Sequence, residues 1–452
     1  MNKQSQKMEL LGTKPVSQAL LALGIPTMIG MMVNALYNLV DAYFVGGLGT
    51  SQLGAVSVAF PLGQVIVGLG LLFGNGAASY LSRLLGKGEQ EKANQVASTA
   101  LYSSLLLGGL VIIVCSIFLQ PVLRVLGATE SIMPYAMIYT RIFILSSIFN
   151  VFNVTLNNIV TSEGAAKTTM CVLMTGAILN VALDPVFIYG LKMGVAGAAI
   201  ATAIAQFIST LIYLHYILRK KSVFTFKISA CKFSRENYAE IMKIGVPTLL
   251  FQILTSLSIT LINMQAKPYG DSAIAGMGAV TRVISMGSLM VFGFIKGFQP
   301  IAGYSYGAGK IERLQEAIKT SVIWSSIFCT IYGVLMAILA PHVIATFTKG
   351  DLDMIRIGES ALRANGISFI VFGFSTVYSS LFLALGKAKI GFILGTLRQG
   401  ICFIPIIFIL PIFCGIHGMM YAQPLSDVIT AGITMMYAIQ FHKGLAKRVS
   451  VC

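Results

Sequence analysis

Gly24-Ile25-Pro26-Thr27 returns as Gly245-Val246-Pro247-Thr248, Gly49 as Gly270 and Gly86-Lys87-Gly88 as Gly307-Ala308-Gly309, each 221 residues after its first appearance. One offset held from Gly24 to Gly88 marks an internal duplication. The repeat is far longer than the ~20–50 residues of a solenoid unit, so the chain is constrained to form two related bundles. Composition says which solvent they face. Hydrophobic residues make up 56% of the chain and charged residues only 11%, against about 25% charged in soluble domains, and the mean hydropathy is +0.82. A soluble core could not use that much apolar surface.

With about 20 residues needed per spanning helix, each copy contains six apolar runs: 18–46, 53–83, 94–120, 133–160, 167–190 and 194–219, then 237–267, 274–305, 316–341, 356–384, 389–414 and 417–441. The expected fold class is an all-α membrane protein with twelve transmembrane helices in two six-helix lobes related by internal repeat, with a central cleft. A polar, basic stretch joins the copies. The expected domains are an N-terminal lobe (1–218), a cytoplasmic basic linker (219–243) and a C-terminal lobe (244–452). Six crossings return the chain to its starting side, so the lobes form a parallel repeat about an axis along the membrane normal.

A formal charge of +16 would point to nucleic acid in a soluble protein, but here the basic residues sort by loop. The linker carries Arg219, Lys220, Lys221, Lys227, Lys232, Arg235 and Lys243, and loops on its side add Lys87, Lys92, Lys167, Lys310, Arg313 and Lys387. The opposite loops hold little beyond Arg124, Lys192, Lys267, Lys349 and Arg356. This bias puts both termini in the cytoplasm and makes the bilayer the partner, with no nucleic acid expected. The first apolar run follows Lys3, Lys7 and Lys14 without a small-residue cleavage site, so it reads as a retained helix.

Enzyme motifs fail on context. Gly303-Tyr304-Ser305-Tyr306-Gly307 spells G-x-S-x-G, with His417 downstream, but a nucleophile elbow follows a strand and this pentapeptide ends an apolar helix. Gly86-Lys87-Gly88 and Gly307-Ala308-Gly309 lack the Walker spacing. Cys115, Cys171, Cys231, Cys329, Cys402, Cys414 and Cys452 are scattered singly and read as small apolar fillers. The four histidines are likewise isolated, so no transition-metal site, cofactor or catalytic residue is expected.

Ionisable groups inside a span cost several kcal/mol or more, which makes each a functional candidate. Asn34, Asn38 and Asp41 share one helical face at i, i+4, i+7, and Tyr37 aligns with Asp41 at i+4. Asn180 and Asp184 are again i, i+4, and Pro185 frees a carbonyl beside the acid. Asp41 lies five residues before Gly46 and Asp184 six before Gly190; at 1.5 Å per residue both fall roughly 8–9 Å below the outer surface and can meet. Asn150, Asn153 and Asn157, then Thr202 and Gln206, add polar faces on two further helices. The alternative reading is interhelical glue, at about 0.6 kcal/mol per bond. The second copy departs, since Asp41 corresponds to Ile262 and Asp184 to Phe408. Its intramembrane charges are Arg282, Lys296 and Asp427. Arg282 and Asp427 read as snorkelling or structural, whereas Lys296 is too deep to snorkel and is a candidate for pairing across the cleft.

Gly297-Phe298-Gln299-Pro300-Ile301-Ala302-Gly303-Tyr304-Ser305-Tyr306-Gly307-Ala308 resembles the helix-eight signature of the multidrug and toxic compound extrusion (MATE) family, of prokaryotic type. Leu179-Asn180-Val181-Ala182-Leu183-Asp184-Pro185 resembles its helix-five motif, and Asp41 before Phe44-Val45-Gly46 its helix-one acid. The resemblance runs from Pro26 to Asp427. It implies alternating-access export of varied, often cationic compounds against inward H⁺ or Na⁺, by a multi-pass protein of a prokaryotic inner membrane. It also implies that Tyr37, Asn157, Asn180 and Thr202 form a network around Asp41 and Asp184. One departure is Thr255, which stands where some members carry a glutamate.

On this reading Asp41 and Asp184 alternate between cargo and the coupling ion, either H⁺ or Na⁺ held with Asn180 and Thr202. Tyr37, Asn34, Asn38, Asn153, Asn157, Gln206 and Met31 are the candidate substrate-contacting residues. The expected partners are small organic cations and other amphipathic compounds, handled by a monomer. An alternative is a flippase for lipid-linked saccharides, with Lys296 and Arg282 serving an anionic headgroup.

Overall fold

The computed structural model describes residues 3–126, 128–232, 234–348 and 351–449; Lys349 and Cys452 lie outside them. The described residues are almost wholly helical: α1 (Lys3–Gly12), α2 (Val16–Gly46), α3 (Thr50–Lys87), α4 (Gln90–Ile117), α5 (Leu119–Val125), α6 (Met133–Ser162), α7 (Ala166–Pro185), α8 (Val195–Leu218), α9 (Arg235–Ala266), α10 (Asp271–Gly307), α11 (Ile311–Ala345), α12 (Leu352–Phe369), α13 (Phe372–Ala384), α14 (Ala388–Thr396) and α15 (Phe403–Val449). Large side chains such as Leu106, Ile338 and Phe413 stay exposed. Such a surface suits hydrocarbon, where there is no water to expel.

Ten helical stretches are long and apolar enough to cross a membrane, and α12 with α13, bent by 52°, make an eleventh. The twelfth is hidden in the run Ala388–Leu445, which at 58 residues would measure about 87 Å if straight, far beyond a ~30 Å hydrocarbon core. Gly415, at φ 56° and ψ −135°, breaks it, because that backbone conformation is open chiefly to glycine. The runs 389–414 and 417–441 are thus separate crossings, as the sequence implies. Three features depart from the drawn runs. The stretch 356–384 is broken at Ile370-Val371, the end of 94–120 turns into the separate α5, and a short helix, α1, precedes the first span.

The two copies meet along α2, α3, α9 and α10. At the end carrying the chain termini they touch backbone to backbone. A Cβ built on Gly245 of α9 would stand 2.0 Å from the Leu72 carbonyl of α3, and one on Gly307 of α10 would stand 2.1 Å from the Arg83 carbonyl. The Thr27 hydroxyl of α2 donates to the Gly293 carbonyl of α10 at 2.6 Å. Beyond Gly68 and Leu249, which still touch, α3 and α9 part around a cavity of about 250 Å³ lined by Gln64, Gln252, Ser256 and Thr260 among apolar neighbours. The copies therefore form a wedge, shut at the terminal end and open toward the other.

Helix α1 straps this shut end. Lys7 binds the first copy, donating to Glu163 at 2.7 Å, to the Tyr216 hydroxyl at 2.5 Å and to the Lys221 carbonyl at 2.7 Å. The carbonyls at its C-terminal end are taken by the second copy: Lys310 binds that of Gly12 at 2.7 Å, and Arg313 those of Leu11 and Lys14 at 3.1 and 2.5 Å. These are the carbonyls a helix end leaves without partners, and cations there also meet the negative end of the helix dipole.

Gly245→Ala is expected to push the lobes apart, because the obstructing atom is a backbone oxygen that cannot step aside. The cost should be roughly 1–3 kcal/mol, read as a lower melting temperature in detergent. Gly278→Ala, whose Cβ would meet nothing within 4 Å, should melt like the parent.

Candidate functional site

The two acids singled out in the first copy come together. Pro185 ends α7 and a π-turn, Val186–Gly190, follows it. That wide turn swings Tyr189 onto α2, where its hydroxyl donates to the Phe44 carbonyl at 2.6 Å. The bond fixes the end of α7 level with the end of α2, and the Asp41 and Asp184 carboxyl groups stand beside each other. Asp184 is fully buried, Asp41 half-buried, and Asn38, one turn earlier, exposed.

Asp41 Oδ1, both Asp184 oxygens and Asn180 Oδ1 are buried with no hydrogen-bond donor. Asn180 spends its amide N–H on Thr202 Oγ1, at 3.2 Å, so its oxygen is left beside the acids. Buried acceptors without donors are costly, and two touching carboxylates cannot both remain bare anions. A shared proton or a small cation satisfies such a cluster. Tyr37 and Tyr139 stand beside the pair. Tyr139 was not singled out from the sequence, although it lies eleven residues, about three helical turns, before Asn150 and so shares the polar face of α6.

A ladder of polar contacts leads away from the acids along one face of α8. Asn153 donates to Gln206 Oε1 at 2.8 Å, and Thr210 donates to Asn153 Oδ1 at 3.1 Å. Asn157 donates to the Tyr213 hydroxyl at 3.2 Å. Lys296 of α10 reaches across the seam and donates to Asn157 Oδ1. On α2, Asn38 donates to the Asn34 carbonyl at 2.7 Å, and Met31 is half-buried.

The other second-copy charges lie apart from Lys296. Arg282 is exposed on α10, and Asp427 pairs with Arg398, whose Nε lies 2.7 Å from Asp427 Oδ1. Gln423 also donates to Asp427, at 2.8 Å, and the guanidinium lies over the Phe372 ring at 4.4 Å. Arg398 lies inside the run 389–414 but was not among the charges singled out from the sequence, and a π-turn at Leu397–Ile401 aims it at Asp427. Thr255 bonds the Phe251 carbonyl of its own helix at 2.8 Å and adds no charge. Glu163, absent from the sequence candidates because it lies just past a span, is fully buried and accepts from Lys7, Tyr216, Ser222 and the Val223 amide.

Duplicated helical bundles that meet at one end and part at the other are the architecture of secondary membrane transporters, not of enzymes. The chain belongs to the MatE family, whose profile matches residues 26–186 and 247–409, once in each copy. It is 28% identical over 423 residues to the multidrug export protein MepA of Staphylococcus aureus, covering 93% of both chains, and 28% identical to MepA of Staphylococcus saprophyticus over 422 residues, again 93% of each. Among solved structures it resembles a MATE in complex with MaL6, with a TM-score of 0.93 at 26% identity over 98% of this chain and 99% of the other. It also resembles the outward-facing conformation of a multidrug resistance MATE family transporter, with a TM-score of 0.92 at 27% identity and the same coverage.

Removing one member of a buried ion pair strands the other. Arg398→Met or Asp427→Leu alone should cost about 3–5 kcal/mol, whereas the double substitution should recover most of the loss. Thermal melts of the three variants check this.

Proposed function

We propose that the protein is a secondary-active multidrug exporter that exchanges inward H⁺ or Na⁺ for outward organic compounds, often cations, by alternating access. The observation that carries this is the cluster of four donorless oxygens on Asp41, Asp184 and Asn180, a seat suited to positive charge. The coupling ion occupies it from the open side, with Thr202 completing the Na⁺ option, and its arrival expels the positive charge of the cargo. Each inward charge contributes about 2.3 kcal/mol per 100 mV, roughly a fortyfold concentration ratio. Cargo is met by Tyr37, Asn34, Asn38 and Met31 of α2, and the cavity between α3 and α9, with apolar walls and a few neutral polar groups, suits varied compounds.

The moving parts are the lobes 1–218 and 244–452, joined by the linker 219–243. The basic loops put both termini in the cytoplasm of a prokaryotic cell, so the wedge, shut at the terminal end, is outward-facing. The likeness to a solved outward-facing transporter supports that assignment, and the names of the MepA relatives support multidrug cargo. The flippase alternative, which needs Lys296 and Arg282 together in a basic cleft, loses support because Lys296 is engaged by Asn157 and Arg282 is exposed on α10. A single copy contains the whole site, in keeping with a monomer.

In vesicles with an imposed ion gradient, Asp41→Asn and Asp184→Asn should each lower export of a fluorescent organic cation at least tenfold. Wild-type rates in both would remove the coupling assignment. Collapsing the pH gradient and the sodium gradient separately identifies the ion, since only one should halt export.

A further inference from the structure

Lys296 is the one charge at the lobe seam that the exchange scheme leaves without a task. It has no acidic partner among the described residues, and its ammonium, with three donors, spends one on Asn157 Oδ1 of the opposite lobe. The rest of the ammonium faces a narrow crevice between α3, α6, α10 and α13. The hydroxyl protons of its walls are already committed. Ser79, Ser82, Thr161 and Ser162 donate to the carbonyls of Leu383, Ala78, Asn157 and Ile159. The Asn75 and Asn158 amides donate to Thr248 Oγ1 and the Val154 carbonyl. Each of these amides keeps a second N–H and Gln299 also lines the crevice, so its walls mix donors and acceptors and select no anion.

We infer that Lys296 is a positioning residue for the exchange, a fixed cation of the second lobe that holds the terminal end shut by its bond to Asn157. Because Lys296 takes the amide oxygen, Asn157 must present its N–H to Tyr213, so the same bond sets the direction of the Asn157–Tyr213 contact on α8. Thr202, Gln206, Thr210 and Tyr213 span eleven residues, about 16 Å, between the carboxyl pair and the seam. Parting of the lobes at this end must break the Lys296 bond and free the Asn157 amide to turn. The seam contact and the orientation of the Asn157 amide are then one two-state element, biased by the lobes.

The inference rests on the exchange reading above, but its test needs neither cargo nor gradient. Spin labels on Lys167 and Lys389, exposed on opposite lobes at the terminal end, report lobe separation in nanodiscs, in a background with the native cysteines replaced. Lys296→Met should raise the ratio of parted to shut lobes about tenfold or more, the equivalent of one charged hydrogen bond. Lys296→Arg, which keeps the cation, should restore most of the shut population. Asn157→Asp should favour the shut state when Lys296 is present, through a true ion pair, and favour the parted state in the Lys296→Met background, where its carboxylate is unpaired. A merely structural role would give one sign in both backgrounds. Unchanged distances in Lys296→Met, or the same effect of Asn157→Asp with and without the lysine, overturns the inference and leaves the export reading standing. Failure of export in the wild-type chain would do the reverse.

Discussion

A carboxylate inside a bilayer must find its countercharge within the protein, because hydrocarbon supplies none. The two halves of this duplicated chain meet that requirement in opposite ways. The second half answers Asp427 with Arg398 at 2.7 Å, backed by Gln423 and by the Phe372 ring. That cation is covalently attached and cannot leave. The first half sets Asp41 against Asp184 and supplies no donor to three of their four oxygens. On the exchange proposed above, the charge that balances these oxygens arrives from outside, whereas the second half answers its own acid with a fixed counter-ion.

The packing between the lobes serves that division. Contact at the terminal end is backbone on backbone, at Gly245 against Leu72 and Gly307 against Arg83, with little side-chain interlock to undo. Glycine at these points lets helices approach closely and also part without leaving large cavities behind. Specificity for the shut state then comes from polar clasps laid over the seam. Lys7 with Glu163, and Lys310 and Arg313 with the end of α1, tie one short helix to both halves. Lys296 on Asn157 adds a clasp deeper in. Several bonds of modest worth, each to a different partner, close the seam at this end.

Much of the site was legible in the sequence, for a physical reason. Asn180, Asp184 and Pro185 lie together in an apolar run, and Asn34, Asn38 and Asp41 share one helical face, so cost and periodicity alone single them out. Tyr139 was hidden because a tyrosine in a span is ordinary, and only its register with Asn150, Asn153 and Asn157 links it to the acids. Glu163 was hidden because it lies past the end of a span, where acids are expected to be wet. Lys7, Tyr216 and Ser222 enclose it, and they come from segments far apart in the chain.

The sequence by itself determined the solvent, the duplication and the helical periodicity, since each depends on composition or on spacing along one strand of chain. It also determined that the halves differ in charge, because Ile262 and Phe408 stand where the first half has its acids. Pairing was decided by the tertiary structure. Which cation meets Asp427, which carbonyls Arg313 caps and which amide Lys296 reaches all depend on how helices rotate and where they bend. The π-turns after Pro185 and before Cys402, and the break at Gly415, set those rotations. A turn of roughly 100° per residue at any of them would aim the same side chains at lipid, and no local pattern in the sequence records that choice.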